Sequence, residues 1–163
     1  MPTVTSRVPA LIDYLVTLFT NAATIGGATP PVTVYDGPPT TALDAPLKLY
    51  VGLSDPDNDG GEPAADFTQE WAGIGRRARD EIITIHCCAE AWSGTDQIQS
   101  VRLAVTGITA AVETLMQADS TQFGGNVLFP APGFAAGSLV QNNAPVVIAR
   151  VPFDLVFRSR IGG

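Results

Sequence analysis

The densest set of reactive side chains in this 163-residue chain is Asp55-x-Asp57-x-Asp59-Gly60, with Asp66 at the twelfth position counted from Asp55. Alternating carboxylates at that spacing can converge on a hard cation, and the glycine allows the sharp turn of an EF-hand calcium loop. Several residues disagree with that chemistry. The segment before the loop reads as a strand instead of a helix, and Glu62 stands where such a loop carries an apolar residue. Pro63 follows it, and the closing acid is an aspartate, with a shorter reach than glutamate. The better reading is an exposed, mobile acidic loop over residues 54–66, and no bound metal is expected.

His86 and Cys88 fall on the same face of an extended run and form the next candidate, either as metal ligands or as a nucleophile with its base. A structural zinc needs four ligands, and the chain has a single histidine and no cysteines besides the neighbours Cys87 and Cys88. Both residues also sit in mid-strand, away from loops that shape active sites. Satisfied residues on a half-buried strand explain them better. No serine elbow, phosphate-cradling glycine loop or dinucleotide fingerprint appears. The chain is therefore expected to be no enzyme and to carry no cofactor.

Arg76, Arg77 and Arg79 form the one basic cluster. It reads either as a solvated hairpin tip or as a tip that meets an acidic neighbour or DNA in a channel. With Trp71 these three arginines are the candidate inter-subunit or channel contacts. Trp71 and Trp92 are themselves expected to pack in the core or on a sheet face.

The elements that must position these groups follow from periodicity. Val8, Leu11, Ile12, Leu15, Phe19 and Ala22 make the apolar stripe of a first helix, capped by Thr5 or Ser6 and ended by Gly26-Gly27. Short strands are predicted over 32–36 and 47–53, then a hairpin with strands 67–74 and 80–92 around Gly75-Arg76-Arg77. In the second of these, Ile83, Ile85, Cys87, Ala89 and Ala91 share one face, while Thr84, His86, Cys88 and Glu90 share the other. Ser93-Gly94 ends the strand. Ile98, Val101, Val105, Ile108, Val112 and Leu115 then mark a long amphipathic helix. Residues 126–137, broken by Pro130, Pro132 and Gly133, read as irregular. Strands over 137–141 and 145–158 close the chain, with Pro152 implying an edge or a bulge. One domain over 1–163 is expected: an α+β two-layer sandwich with a mostly antiparallel sheet packed by two main helices.

Composition bears on partners. Hydrophobic residues make up 45% and charged residues 15% of the chain, with a formal net charge of −7. Mean hydropathy of +0.20 is high for a free monomer without a membrane-spanning run. The apolar excess points to assembly, and the negative charge disfavours general nucleic-acid binding. Cys87 and Cys88 are adjacent, about 3.8 Å apart at Cα, too close for ordinary disulfide geometry, which fits synthesis in a reducing cytosol.

The order and spacing of several segments resemble tail terminator proteins of long non-contractile-tailed (siphovirus-type) phages of actinobacteria. The segments are Val8-Pro9-Ala10-Leu11-Ile12, Val34-Tyr35-Asp36-Gly37-Pro38 and Gln69-Glu70-Trp71-Ala72-Gly73-Ile74-Gly75. Ala78-Arg79-Asp80-Glu81, Ala91-Trp92-Ser93-Gly94, Ala111-Val112-Glu113, Gly137-Ser138-Leu139 and Val151-Pro152-Phe153 near Arg160-Ile161 complete the pattern. The resemblance implies a non-enzymatic virion protein at the head–tail junction, made and assembled in the host cytoplasm. Such a protein forms a homo-oligomeric ring, commonly a hexamer, on the last ring of tail tube protein. It ends tail polymerisation and presents a surface to the head-closure or connector protein, with DNA only as passing cargo and no membrane. The nearest alternative in the same setting is another head–tail connector component, a head-closure or adaptor protein.

Overall fold

The computed structural model describes residues 5–39, 45–58, 61–75, 77–94, 97–128, 133–136, 138–142 and 146–162. In chain order the elements are α1 (Val8–Asn21), β1 (Thr33–Asp36), β2 (Leu47–Val51), β3 (Ala65–Trp71) and β4 (Arg79–Ser93). They continue with α2 (Ile98–Ala118), a single turn α3 (Gln122–Gly125), β5 (Gly133–Ala136), β6 (Val140–Asn142) and β7 (Val147–Ile161). The architecture is a two-layer α+β sandwich: one sheet of seven strands with both long helices on one face.

Two strands of 15 residues each, β4 and β7, are the spine of the sheet. They pair antiparallel along their full length, from Arg79 opposite Ile161 to Ser93 opposite Val147. The other edge of β4 is shared between β3, along Arg79–Ile85, and β2, along Cys87–Ala91. The other edge of β7 is shared likewise by β5 and β6. β1 lies parallel to β2, the one parallel pairing among the described strands. Among the described strands, β3 has a neighbour on one side only.

Strict alternation explains why the spine holds two layers together. Ile83, Ile85, Cys87, Ala89 and Ala91 of β4 join Val147, Ala149, Val151, Phe153, Leu155 and Phe157 of β7 in one buried face. Leu11, Leu15 and Phe19 of α1 and Val101, Val105, Ile108, Val112 and Met116 of α2 close over it. Met116 takes the fully buried place that periodicity assigns to Leu115, which is only partly buried. The connector after α2 is held by its own contacts. Gln122 and Phe123 adopt φ of 54° and 52°, a left-handed region costing non-glycine residues roughly 1–2 kcal/mol each. Asp119 accepts the Phe123 amide at 2.7 Å, and the Phe123 ring lies buried edge-on to Tyr14 and Phe157.

Three expectations need correction. Residues 133–136, read as irregular, are strand β5: its backbone pairs with Gly133 opposite Val156 through Ala136 opposite Phe153, where sequence shows only glycine and proline breakers. The first strand of the hairpin ends at Trp71, so Ile74 belongs to the turn and has no strand partner. Pro152 makes no bulge, since its register with β4 is unbroken, and the edge it occupies is a local gap on a central strand. It falls in the interval between the β7 residues paired by β6 (148–150) and by β5 (153–156), so its missing amide costs that edge no rung.

Candidate functional site

Besides the Arg160–Asp80 ion pair near the hairpin, the sheet face opposite the helices carries, among the described residues, two larger polar clusters assembled from residues distant in sequence. At one end Lys48 of β2 donates to Glu90 Oε1 at 3.0 Å, and Arg150 Nε donates to Glu90 Oε2 at 2.5 Å. Register brings them together, since Glu90 stands opposite Lys48 on one side and Arg150 on the other. Arg150 then reaches Asp57, donating to both of its carboxylate oxygens. The guanidinium holds the Asp57 carboxyl below the usual carboxylate range. The acidic loop is exposed as expected, but it is tethered to the sheet at this point, and residues 65 and 66 belong to β3.

Farther along the same face, His86 lies between two carboxylates. Nδ1 meets Asp154 Oδ1 at 2.7 Å and Nε2 meets Asp66 Oδ2 at 2.9 Å. Burial alone would lower the imidazole pKa, but the hydrogen bonds and charges of Asp154 and Asp66 outweigh it and raise it above the ordinary 6.5. A folded-state value above the unfolded one stabilises the fold fully below about pH 6.5, and that contribution is lost as pH rises through the folded value. His86→Gln is therefore expected to melt below the parent at about pH 6, with the gap closing toward about pH 9. Because Asp66 is largely and Asp154 partly exposed, the gap is no more than about 1 kcal/mol. Melting curves across that range check it, and a gap that widens at high pH contradicts the assignment.

This arrangement separates the candidate chemical groups. Both His86 nitrogens are engaged by carboxylates, and Cys88 is buried, its thiol pushed up to about 12 mainly by desolvation. At neutral pH it is a thiol, not a thiolate nucleophile. The calcium-loop acids also diverge: Asp55 accepts the Asp57 amide at 3.0 Å in a local turn, Asp57 turns to Arg150, and Asp66 turns to His86. Asp59 lies outside the described residues. Among the described residues no group of three or more His, Cys, Asp or Glu side chains is placed to hold a metal.

The other candidates lie on the β3–β4 hairpin. Trp71, expected in the core or on a packed face, is 69% exposed. It shares the helix-side face with Phe67 and Arg79 but stands beyond the helices that would cover it. The Arg79 guanidinium lies 5.9 Å from the Trp71 ring centroid and donates to Gln69 at 2.9 Å. Arg77 is exposed, and Arg76 lies outside the described residues. Sequence reasoning missed Ile74, which is fully exposed in the turn, with Phe67 and Ile82 also exposed nearby. An isoleucine flanked by glycines, Gly73-Ile74-Gly75, was the available signal that it could not continue a strand. At the hairpin base the carboxy-terminal Gly162 packs closely, where a Cβ would come within 3.0 Å of the Arg77 carbonyl oxygen.

A carboxylate also missed in the sequence secures the root of this hairpin. Glu81 faces the helix layer, fully buried, and accepts hydrogen bonds from the Ser6 hydroxyl (2.6 Å), the Arg7 amide (2.9 Å) and the Gln69 side chain (2.9 Å). It thereby caps α1 from the sheet, where a negative charge suits the positive end of the helix dipole. Ser6, named as a cap from sequence, contributes by accepting the Val8 amide at 3.1 Å. The site is thus a rigidly rooted hairpin that displays apolar and basic side chains, beside a polar sheet face where Lys48, Glu90, Arg150 and Asp57, and His86 with Asp66 and Asp154, are paired with one another. No protein-family model matches the sequence, and no curated protein matches it either.

Proposed function

We propose that this chain is a structural virion protein: a ring subunit that caps the tail tube, ends its polymerisation and presents the surface on which the head joins. The observation that carries this reading is the β3–β4 hairpin, which holds Trp71 and Ile74 out in solvent on a firmly anchored root. Large apolar side chains gathered on one projection mark a protein contact. The segment order of the family resemblance supplies the setting, and the formal charge of −7 suits a channel through which DNA passes without sticking. The reading assigns no catalysis, in keeping with a protonated Cys88 thiol and a His86 ring engaged on both sides.

The test is direct. Added to polymerising tail tube protein, the purified chain is expected to shorten the tubes and to appear as a ring at one end in electron micrographs. Removing it from the phage that encodes it is expected to give overlong tails, or tails that never join heads. Normal tails joined to heads in its absence would refute the role. Density that places the ring against the portal instead of the tube would transfer it to the head-closure class.

A further inference from the structure

The capping reading leaves open which surfaces of neighbouring subunits meet, and two features of this chain match each other. The first is the hairpin tip, with Trp71, Ile74 and Arg77 exposed. The second is a cleft of about 430 Å³ on the polar sheet face, between the acidic loop and β6. Asp55 and Glu62 stand on its loop side, and Val140, half exposed, stands on the other. Asp57 in its wall is already neutralised by Arg150, whereas Asp55 and Glu62 have no cation placed on them by the described contacts. Three of the nine basic residues of the chain lie within 76–79, and five of its sixteen acidic residues lie within 55–66. The two patches are therefore opposite in charge, and each carries apolar surface.

They cannot meet within one molecule. From Arg79, at the tip end of β4, to Cys88, on the floor of the cleft, β4 runs extended for nine residues, roughly 30 Å. Nor does one tip suit another, because a twofold contact would set Arg77 against Arg77. We propose that the β3–β4 hairpin tip of one copy seats in the cleft between the acidic loop and β6 of a second copy. Trp71 and Ile74 lie along the Val140 wall, and Arg77 faces Asp55 and Glu62. Because tip and cleft are different surfaces, the contact is head-to-tail, and repeating it closes a ring when the rotation per subunit divides a full turn. This rests on the capping reading and names its subunit contact.

Single-cysteine bridging tests it on the full chain. Ile74→Cys and Val140→Cys are purified separately, mixed and mildly oxidised, then run on a non-reducing gel. The native cysteines are buried and contribute little background. A disulfide-linked dimer is expected in the mixture at least about tenfold above either variant alone. Arg77→Glu and Glu62→Arg are each expected to raise the concentration at half-association in sedimentation roughly tenfold, and the double variant Arg77→Glu/Glu62→Arg is expected to restore it. All four positions are exposed, so melting temperatures should stay near the parent value. Bridging by Ile74→Cys alone, no bridge in the mixture, or no rescue by the double reversal would each overturn the contact. Rings that cap tubes without this bridge overturn the contact and leave the capping reading standing; a bridge in a chain that ignores tube ends does the reverse.

Discussion

Glu90→Ala is expected to destabilise the protein by about 3–5 kcal/mol, because it strands the buried Lys48 ammonium and takes from Arg150 one of its two carboxylate partners. Lys48 is 5% exposed and Glu90 3%, so water cannot replace the lost carboxylate at the Lys48 ammonium. Arg150 keeps Asp57, which lies at the surface, but loses its buried partner. Against a typical total stability of about 5–15 kcal/mol, this change brings the fold near its limit. In urea the midpoint should fall by about 2 M with little change in slope. Substituting the three members together, Lys48→Met, Glu90→Leu and Arg150→Met, should recover most of the loss, since it leaves no unpaired charge in the interior and the Asp57 that Arg150 releases lies at the surface in water. A loss under about 1 kcal/mol for Glu90→Ala would mean that solvent reaches the network. The network also bears on the proposed subunit contact, because Arg150 holds the loop that forms one side of the cleft.

Glu81→Ala should cost about 2–4 kcal/mol by a different route. It removes no core volume of consequence, but it leaves the Arg7 amide, the Ser6 hydroxyl and the Gln69 side chain without their shared acceptor. The Arg7 amide is the critical one, since it opens α1 and has no intrahelical partner. Glu81→Gln should fall between parent and alanine, because the amide oxygen can still accept one bond while its NH2 opposes the remaining donors. Hydrogen exchange should show the loss concentrated at the start of α1 and in β3, with β4 and β7 still protected. Uniform loosening of the whole sheet would contradict the local role. Gln69 also donates to the Thr5 carbonyl at 2.7 Å and accepts from Arg79, so the same change should loosen the root of the hairpin.

Where side-chain pattern alone decides an element, the sequence was enough to see it. The stripe of α2 and the alternation in β4 are set by 3.6- and 2-residue periods, and the packed face of β4 is the one the pattern names. The second face of β4 was legible as polar, with Thr84, His86 and Glu90 on it. Which acid met which base was not, because Glu90 finds Lys48 42 residues away and Arg150 60 residues away. β5 was hidden for the opposite reason: a strand of glycine and alanines around Phe134 has almost no pattern, and it is held by backbone pairing to β7. Trp71 misled because an aromatic residue is ordinarily covered. Its place on β3 puts it past the edge of the helical layer, a fact of layer width and not of residue type.

By itself, then, the order of residues determined an α+β chain with two amphipathic helices and a long two-faced strand. It could do so because burial preference acts locally, residue by residue, along a fixed helical or extended period. Only the folded arrangement decided that the aspartates of the calcium-like loop part company, that Glu81 holds the first helix to the sheet, and that a hairpin with Trp71 and Ile74 stands uncovered. Those outcomes depend on register and on where each layer ends, which are set by the packing of the whole chain.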